Sequence, residues 1–208
     1  MTDRFTVFLV DDDPSVLKAL SRLLRSRGYD VRAYSAPREF LTRHNAAVPG
    51  CAVLDVAMPD LDGLAVQQAL AAGDAHRPII FITARSDIPT SVRAMKAGAV
   101  DFLTKPLYEE VLLDAVARAV EVDARRRKTH AELAAIQAKL STLTPREREV
   151  LAHVVAGRLN KQIAGDLRLG EKTIKTHRGR MMGKLGVRTV PDLVRLAERA
   201  GISSFVPR

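Results

Sequence analysis

Five short β-rich runs, each followed by an amphipathic stretch, constrain this chain more than any other feature of its sequence. Thr6-Val7-Phe8-Leu9-Val10 reads as a buried strand, and Pro14 to Arg27 as a helix with Val16, Leu20, Leu23 and Leu24 on one face. Asp30–Tyr34 is a second strand, and Ser35 ahead of Ala36-Pro37 reads as a helix cap with proline in the first turn. Cys51–Leu54, Ile79–Ile82 and Val100–Leu103 follow as strands, with helical patterns near 63–72, 89–97 and from 108 onward. Such alternation requires right-handed crossovers, so the expected fold is α/β, a five-stranded parallel sheet with helices on both faces.

In an open parallel sheet, ligands bind at the carboxyl ends of the strands, where the strand order reverses. Here the strand ends are Asp11-Asp12-Asp13, Asp55, Thr83 and Thr104-Lys105-Pro106. Any one of these taken alone is ordinary loop chemistry. Together they bring carboxylates, a hydroxyl and an ammonium to one edge. Clustered carboxylates repel and call for a cation, and an all-oxygen site suits Mg²⁺, with Mn²⁺ as a substitute. An aspartate beside such a metal can act as a nucleophile toward a phosphoryl group and form an acyl phosphate. Lys105 and Thr83 are placed to meet the equatorial oxygens.

The charge is unevenly distributed. Residues 1–121 carry 14 Lys+Arg against 16 Asp+Glu, whereas residues 122–208 carry 19 against 8. A basic segment of this kind is either a solvated face or the electrostatic footprint of nucleic-acid binding. No Gly or Pro occurs between Leu107 and Leu143, so one helix is expected to run to about Leu140. Its stripe of Leu133, Ile136 and Leu140 reads as a linker surface that pairs with a second copy, although it is too short for a coiled coil. Thr144-Pro145-Arg146-Glu147 matches a capping box. Helices near 145–156, 160–167, 171–185 and 189–200 complete an all-α part. The second and third of these, joined through Gly170, read as a helix-turn-helix whose second helix enters the major groove. Ile174, Met181 and Leu185 should pack inward, with Lys172, Lys175, Thr176 and Gly179 on the opposite side.

Four motifs in order, Leu9-Val10-Asp11-Asp12-Asp13, Leu54-Asp55-Val56-Ala57-Met58-Pro59 with Gly63, Phe81-Ile82-Thr83-Ala84 and Asp101-Phe102-Leu103-Thr104-Lys105-Pro106, closely resemble the flavodoxin-like receiver domain of two-component response regulators. The resemblance implies that Asp55 is the phosphoacceptor. It also implies that Asp11, Asp12, Asp55 and the Ala57 carbonyl hold Mg²⁺, and that Lys105, joined to Pro106 by a cis bond, binds the phosphoryl group. Thr83 and Phe102 match the switch pair, whose repacking changes the face of the fourth and fifth helices. Ala57 and Arg85 stand at the two positions that set acyl-phosphate lifetime, and Ala57 cannot orient a water, so slow self-hydrolysis is expected.

The segment from Leu143, including Asn160-Lys161-Gln162-Ile163-Ala164 and Glu171 through Leu185, resembles the LuxR-type DNA-binding domain. The two halves together resemble the NarL/FixJ class, and Asp87-Ile88-Pro89 with Arg93–Ala99 leans to the FixJ branch. The implied division is a receiver over 1–122, a helical linker over 123–141 and a LuxR-type domain over 142–208. Base contacts map to Lys175, Thr176 and Gly179. Lys161, Lys172, Arg178, Arg180 and Lys184 are expected at phosphates, with His177 packing or touching phosphate. Implied partners are a sensor histidine kinase, promoter DNA, a second copy on phosphorylation and RNA polymerase for an activator, with no membrane.

Two other readings stay open on sequence alone. Haloacid-dehalogenase-type phosphatases also use a strand-end Asp, Thr and Lys. Their nucleophile, however, lies in an early Asp-x-Asp pair, and their acidic metal pair comes late in the chain. A receiver serving only as a dimerisation scaffold is the other. Cys51 excludes a disulfide framework and opens a buried strand, where packing is its expected role. Met1-Thr2-Asp3-Arg4 has no signal-peptide character and no apolar run reaches the ~18–20 residues of a membrane span, so a cytoplasmic, non-enzymatic regulator is expected.

Overall fold

A computed structural model describes residues 5–73, 77–84 and 88–202, so Met1–Arg4 and Arg85 lie outside the described residues. The chain divides into two compact units, Met1–Arg127 and Lys128–Arg208.

The first unit is a parallel sheet of β1 (Thr6–Val10), β2 (Asp30–Tyr34), β3 (Gly50–Asp55), β4 (Ile79–Thr83) and β5 (Asp101–Thr104), in the order β2-β1-β3-β4-β5. Between the strands run α1 (Pro14–Ser26), α2 (Pro37–Arg43), α3 (Gly63–Ala72) and α4 (Ile88–Lys96), and α5 (Glu109–Ser141) follows β5. Side chains alternate across a strand, so each strand feeds two cores. Val7, Leu9, Val53, Ile80 and Ile82 pack with Leu20 and Leu24 of α1 and Leu112 and Val116 of α5. Phe8, Val10, Leu54 and Phe81 pack with Phe40 of α2, Val66 and Leu70 of α3 and Ala94 of α4. Burial on both faces is why β1, β3 and β4 read as continuous apolar runs rather than as alternations.

Ser35 does not cap α2. The helix starts one residue later than that reading needs, with Ala36 at the cap position, no side-chain cap bond and Pro37 in the first turn. Asp13 caps α1 instead, accepting from the Ser15 backbone and hydroxyl at 2.8 and 2.6 Å. Those two bonds hold its carboxyl below its ordinary value.

At the opposite edge from the strand-end aspartates, two arginines fasten the α2–β3 loop. Arg127 of α5 donates to the Ala46, Ala47 and Val48 carbonyls at 3.0, 2.9 and 2.7 Å, and to Asp123 Oδ2 at 2.6 Å. The same carboxylate accepts the Gly50 N–H at 3.3 Å. Arg77, buried 4.1 Å from the centre of the Phe8 ring, donates to the Asn45 and Val48 carbonyls. Burial lowers its guanidinium to about 10, against the pull of Asp123, and raises the Cys51 thiol to about 12. Gly50 has no room for a side chain, because a Cβ there would stand 2.1 Å from the Thr6 carbonyl oxygen.

In the second unit, α6 (Pro145–Val155), α7 (Asn160–Leu167), α8 (Glu171–Leu185) and α9 (Val190–Arg199) surround Val150, Leu151, Val154, Ile163, Ile174, Met181, Leu185 and Leu193. The Thr144–Glu147 capping box is formed, with the Thr144 N–H donating to Glu147 at 2.9 Å and the Glu147 N–H to Thr144 Oγ1 at 3.3 Å. The stripe on α5 differs from its expected use. Leu140 packs on this unit's own core and Ile136 is buried, which leaves Leu133, 38% exposed, as the remaining member of the stripe for a second copy. A short domain with four small helices needs that extra apolar surface to close its core.

Candidate functional site

The carboxyl edge of the sheet brings Asp11, Asp55, Thr83 and Lys105 together because β1, β3, β4 and β5 are adjacent and in register. Val10 pairs with Leu54, Asp55 with Ile82, and Thr83 with Thr104. Asp11, Asp55 and Thr83 are all buried. The Lys105 Nζ donates to Asp11 Oδ2 at 2.8 Å and lies 2.9 Å from Asp55 Oδ1. The other Asp55 oxygen accepts the Ala57 N–H at 2.8 Å, so both oxygens are engaged and the carboxylate has one orientation. Asp11 is held likewise, its Oδ1 accepting the Asp13 N–H at 2.9 Å. Asp12 and Ala57 are exposed beside this pair.

Backbone geometry fixes the cluster. The Lys105–Pro106 peptide is cis, and the Lys105 N–H donates to the Thr83 carbonyl at 2.7 Å. Gly63 closes the loop after β3 by donating to Val56 O at 3.1 Å, and a Cβ there would stand 2.5 Å from the Asp55 carbonyl oxygen. Partial burial disfavours the Lys105 ammonium, but the hydrogen bonds and charges of Asp11 and Asp55 outweigh it and hold Lys105 above its ordinary value. Phe102, half-buried, packs against Phe81 with ring centres 6.0 Å apart.

The donors are hard oxygens, and three carboxylates against one ammonium leave an excess of negative charge at the edge. Among the described residues no group of three or more His, Cys, Asp or Glu side chains is arranged to hold a metal ion by itself. An open carboxylate edge fits Mg²⁺, which binds through one or two carboxylates plus phosphate oxygens and keeps several waters.

The second unit supplies the candidate nucleic-acid interface. Ile174, Met181 and Leu185 are fully buried, and Lys172, Lys175, Thr176, Gly179 and Arg180 lie exposed on the rest of α8, as does Lys161 on α7. His177 and Arg178 are half-buried, and Arg178 donates to Asn160 Oδ1 at 2.9 Å, tying α8 to the start of α7. Gly170 stands at the α8 cap position without a side-chain bond. Lys184 departs from its expected place at a phosphate. Its Nζ donates to Glu147 Oε2 at 2.6 Å and to the Thr142 carbonyl at 3.1 Å, so it is engaged within the domain. That hydrogen bond, with the Thr144 N–H, holds the buried Glu147 carboxyl below its ordinary value. Sequence spacing missed this pair because the partners are 37 residues apart.

Comparison with known proteins gives two family matches. Residues 7–117 match the response regulator receiver domain, and residues 141–197 match the bacterial regulatory proteins of the luxR family. Nodulation protein W of Bradyrhizobium diazoefficiens is 46% identical over 198 residues, covering 95% of this chain and 87% of the relative. Transcriptional regulatory protein FixJ of Rhizobium meliloti is 39% identical over 201 residues, covering 97% and 98%. Among solved structures, response regulator StyR superposes with a TM-score of 0.83 at 44% identity, covering 94% of this chain and 99% of that one.

Proposed function

The chain belongs to the two-component response regulators of the NarL/FixJ class, which join a receiver to a LuxR-type DNA-binding domain, and from that premise we propose that phosphorylation of Asp55 controls its binding to promoter DNA. It is a transcriptional regulator and not a multiple-turnover enzyme. Among the described residues no helix is long and apolar enough to cross a membrane, and we assign the regulator to the cytoplasm with its DNA.

The observation that carries the reading is the paired geometry of Asp55 and Lys105. A histidine kinase, or acetyl phosphate, presents a phosphoryl group. An Asp55 oxygen forms the new P–O bond as the donor's P–N or P–O bond breaks, and the leaving group keeps that electron pair. Lys105 exchanges its bond to Asp55 for one to a phosphoryl oxygen, and the Thr83 hydroxyl donates to another. Asp11, Asp12, Asp55 and the Ala57 carbonyl would hold Mg²⁺, which would supply charge neutralisation when bound. Movement of Thr83 frees space for Phe102 to turn inward, which repacks the α4–β5–α5 face. With Ala57 unable to orient a water, the acyl phosphate is long-lived.

That face carries exposed apolar side chains: Ile88, Val92 and Met95 recur along α4, with Tyr108 just before α5 and Val111 on it. A second copy covers them when Asp55 is phosphorylated, and two DNA-binding units on paired half-sites gain avidity. Intact mass with and without acetyl phosphate and Mg²⁺, with light scattering on the same samples, tests the scheme. One added phosphoryl group and a shift to dimer support it. An unmodified chain would leave the receiver a scaffold. In Val92→Glu the acyl phosphate should still form, but dimerisation should weaken by at least roughly tenfold, because each copy would bury an unpaired carboxylate. An unchanged monomer–dimer balance would place the interface elsewhere.

At the DNA, Lys175 and Thr176 read base edges and Gly179 faces them. Lys161, Lys172, Arg178 and Arg180 meet phosphates, with His177 beside them. Lys184 serves the fold instead. Lys184→Met should lower the melting temperature of the second unit and leave the slope of log affinity against log salt unchanged, whereas a lost phosphate contact would reduce it by about 1. The sign of its pH dependence follows from Glu147. With the folded value depressed, the contribution is present above about pH 4.5 and is lost as pH falls through the folded value.

A further inference from the structure

Gly179 and Gly183 lie in the interior of α8, a 15-residue helix, and a Cβ built on either meets nothing within 4 Å. Several other glycines are explained by the fold, although Gly165, inside α7, is as open as these two. Gly50 and Gly63 sit against backbone, and Gly186 ends α8 at a φ of +70°. No such reason exists inside the protein at 179 and 183, and only proline is a poorer helix former than glycine. At about 3.6 residues per turn, both fall on the line through Lys172, directly opposite the buried Ile174, Met181 and Leu185, with Lys175 and Arg180 to either side. The midline of the exposed face is therefore bare along the C-terminal half of the helix and flanked by cations.

Resting on the reading that α8 enters the major groove, we propose that Gly179 and Gly183 are specificity-determining positions whose missing side chains let the backbone of α8 seat against the groove floor. The ligand is not inferred from the glycines, since the domain's family and the flanking cations supply it. What the glycines set is depth. A helix with its side chains is about 10–12 Å across and its Cα atoms lie on a radius of about 2.3 Å, while the groove is about 12 Å wide. A bare midline lets the axis sink, so that Lys175 and Thr176 reach base edges while Arg180 reaches the backbone at the rim. Non-specific binding, which depends on phosphate charge, does not need this depth.

The test uses the full chain treated with acetyl phosphate and Mg²⁺. The probes are the duplex that the parent enriches from a randomised library and a scrambled duplex of equal length and composition. Gly179→Ala and Gly183→Ala should each raise the melting temperature of the second unit by roughly 4–8 °C, through helix propensity. Each should weaken binding to the enriched duplex at least about fivefold, the size of a lost base-pair contact. Binding to the scrambled duplex should change by less than about twofold. Gly179→Leu should lose more affinity for the enriched duplex than Gly179→Ala. Unchanged affinity for the enriched duplex overturns the proposal, as does an equal loss on both duplexes or a fall in melting temperature. A parent that enriches no sequence would overturn the DNA reading itself, a result distinct from these.

Discussion

Asp55→Asn protein incubated with acetyl phosphate and Mg²⁺ stays at its unmodified mass, while the parent gains one phosphoryl group. The amide keeps the shape and one oxygen, so the Ala57 N–H retains an acceptor. What it loses is the nucleophilic oxygen pair. Lys105 keeps Asp11 as a partner at 2.8 Å, so the variant remains folded, and its far-ultraviolet circular dichroism should match that of the parent. Uptake by the variant to the parent's extent would move the acceptor to another carboxylate, with Asp11 and Asp12 the first to examine. The same pair sets an alkaline limit. Lys105 is held above its ordinary value, so its contribution to stability is fully present below about pH 10.5 and is lost as pH rises through the folded value. The variant, lacking one of the two carboxylates, should lose that contribution at a lower pH than the parent.

Asp123→Ala destabilises the receiver by about 3–5 kcal/mol, the cost of leaving a buried charge without its partner. Asp123 is 5% exposed and is the carboxylate that faces both Arg77 and Arg127. The Arg77 Nε and Nη1 already lack hydrogen-bond partners, so its charge depends on the field of Asp123. The Gly50 N–H loses its acceptor as well. The chain has no tryptophan, and its three tyrosines, Tyr29, Tyr34 and Tyr108, all lie in the first unit, so tyrosine fluorescence during urea unfolding reports that unit alone. A loss below about 1 kcal/mol would show that Arg77 is solvated in place of being paired, as surface charges are. Asp123→Asn, which keeps an acceptor but not the charge, should fall between the two.

Much of this architecture is legible in one dimension. The β1 and β2 runs and the α7 and α8 helices end where their residue patterns end, because strand burial and helix periodicity are local signals. The acidic edge is legible because parallel strands must all finish on the same side. What stays hidden is pairing across long sequence separations. Nothing in the spacing of Arg127 says that it will meet the carbonyls of residues 46–48, some 80 positions earlier. Lys184 looks like one more cation on a basic helix until Glu147 is seen beneath it. The stripe through Leu133, Ile136 and Leu140 has the right period for a partner helix, yet Leu140 packs into its own domain's core and Ile136 is buried. Periodicity reveals that a face is apolar, not what covers it.

The unbroken α5 helix has a genetic consequence. Up to Arg127 its side chains complete the receiver, through Asp123 and the α2–β3 loop. From Glu132, which pairs with Arg199, and Ile136 onward they complete the DNA-binding domain. The few codons between continue the helix and code for no turn or spacer. Recombination between two genes of this kind keeps both sets of contacts within one parent when the crossover falls there, whereas a crossover before Arg127 sets one parent's arginine against the other parent's loop, and one past Glu132 separates that carboxylate from Arg199. Reassortment of receivers with outputs that preserves both sets of contacts is thus confined to a stretch of helix about one turn long.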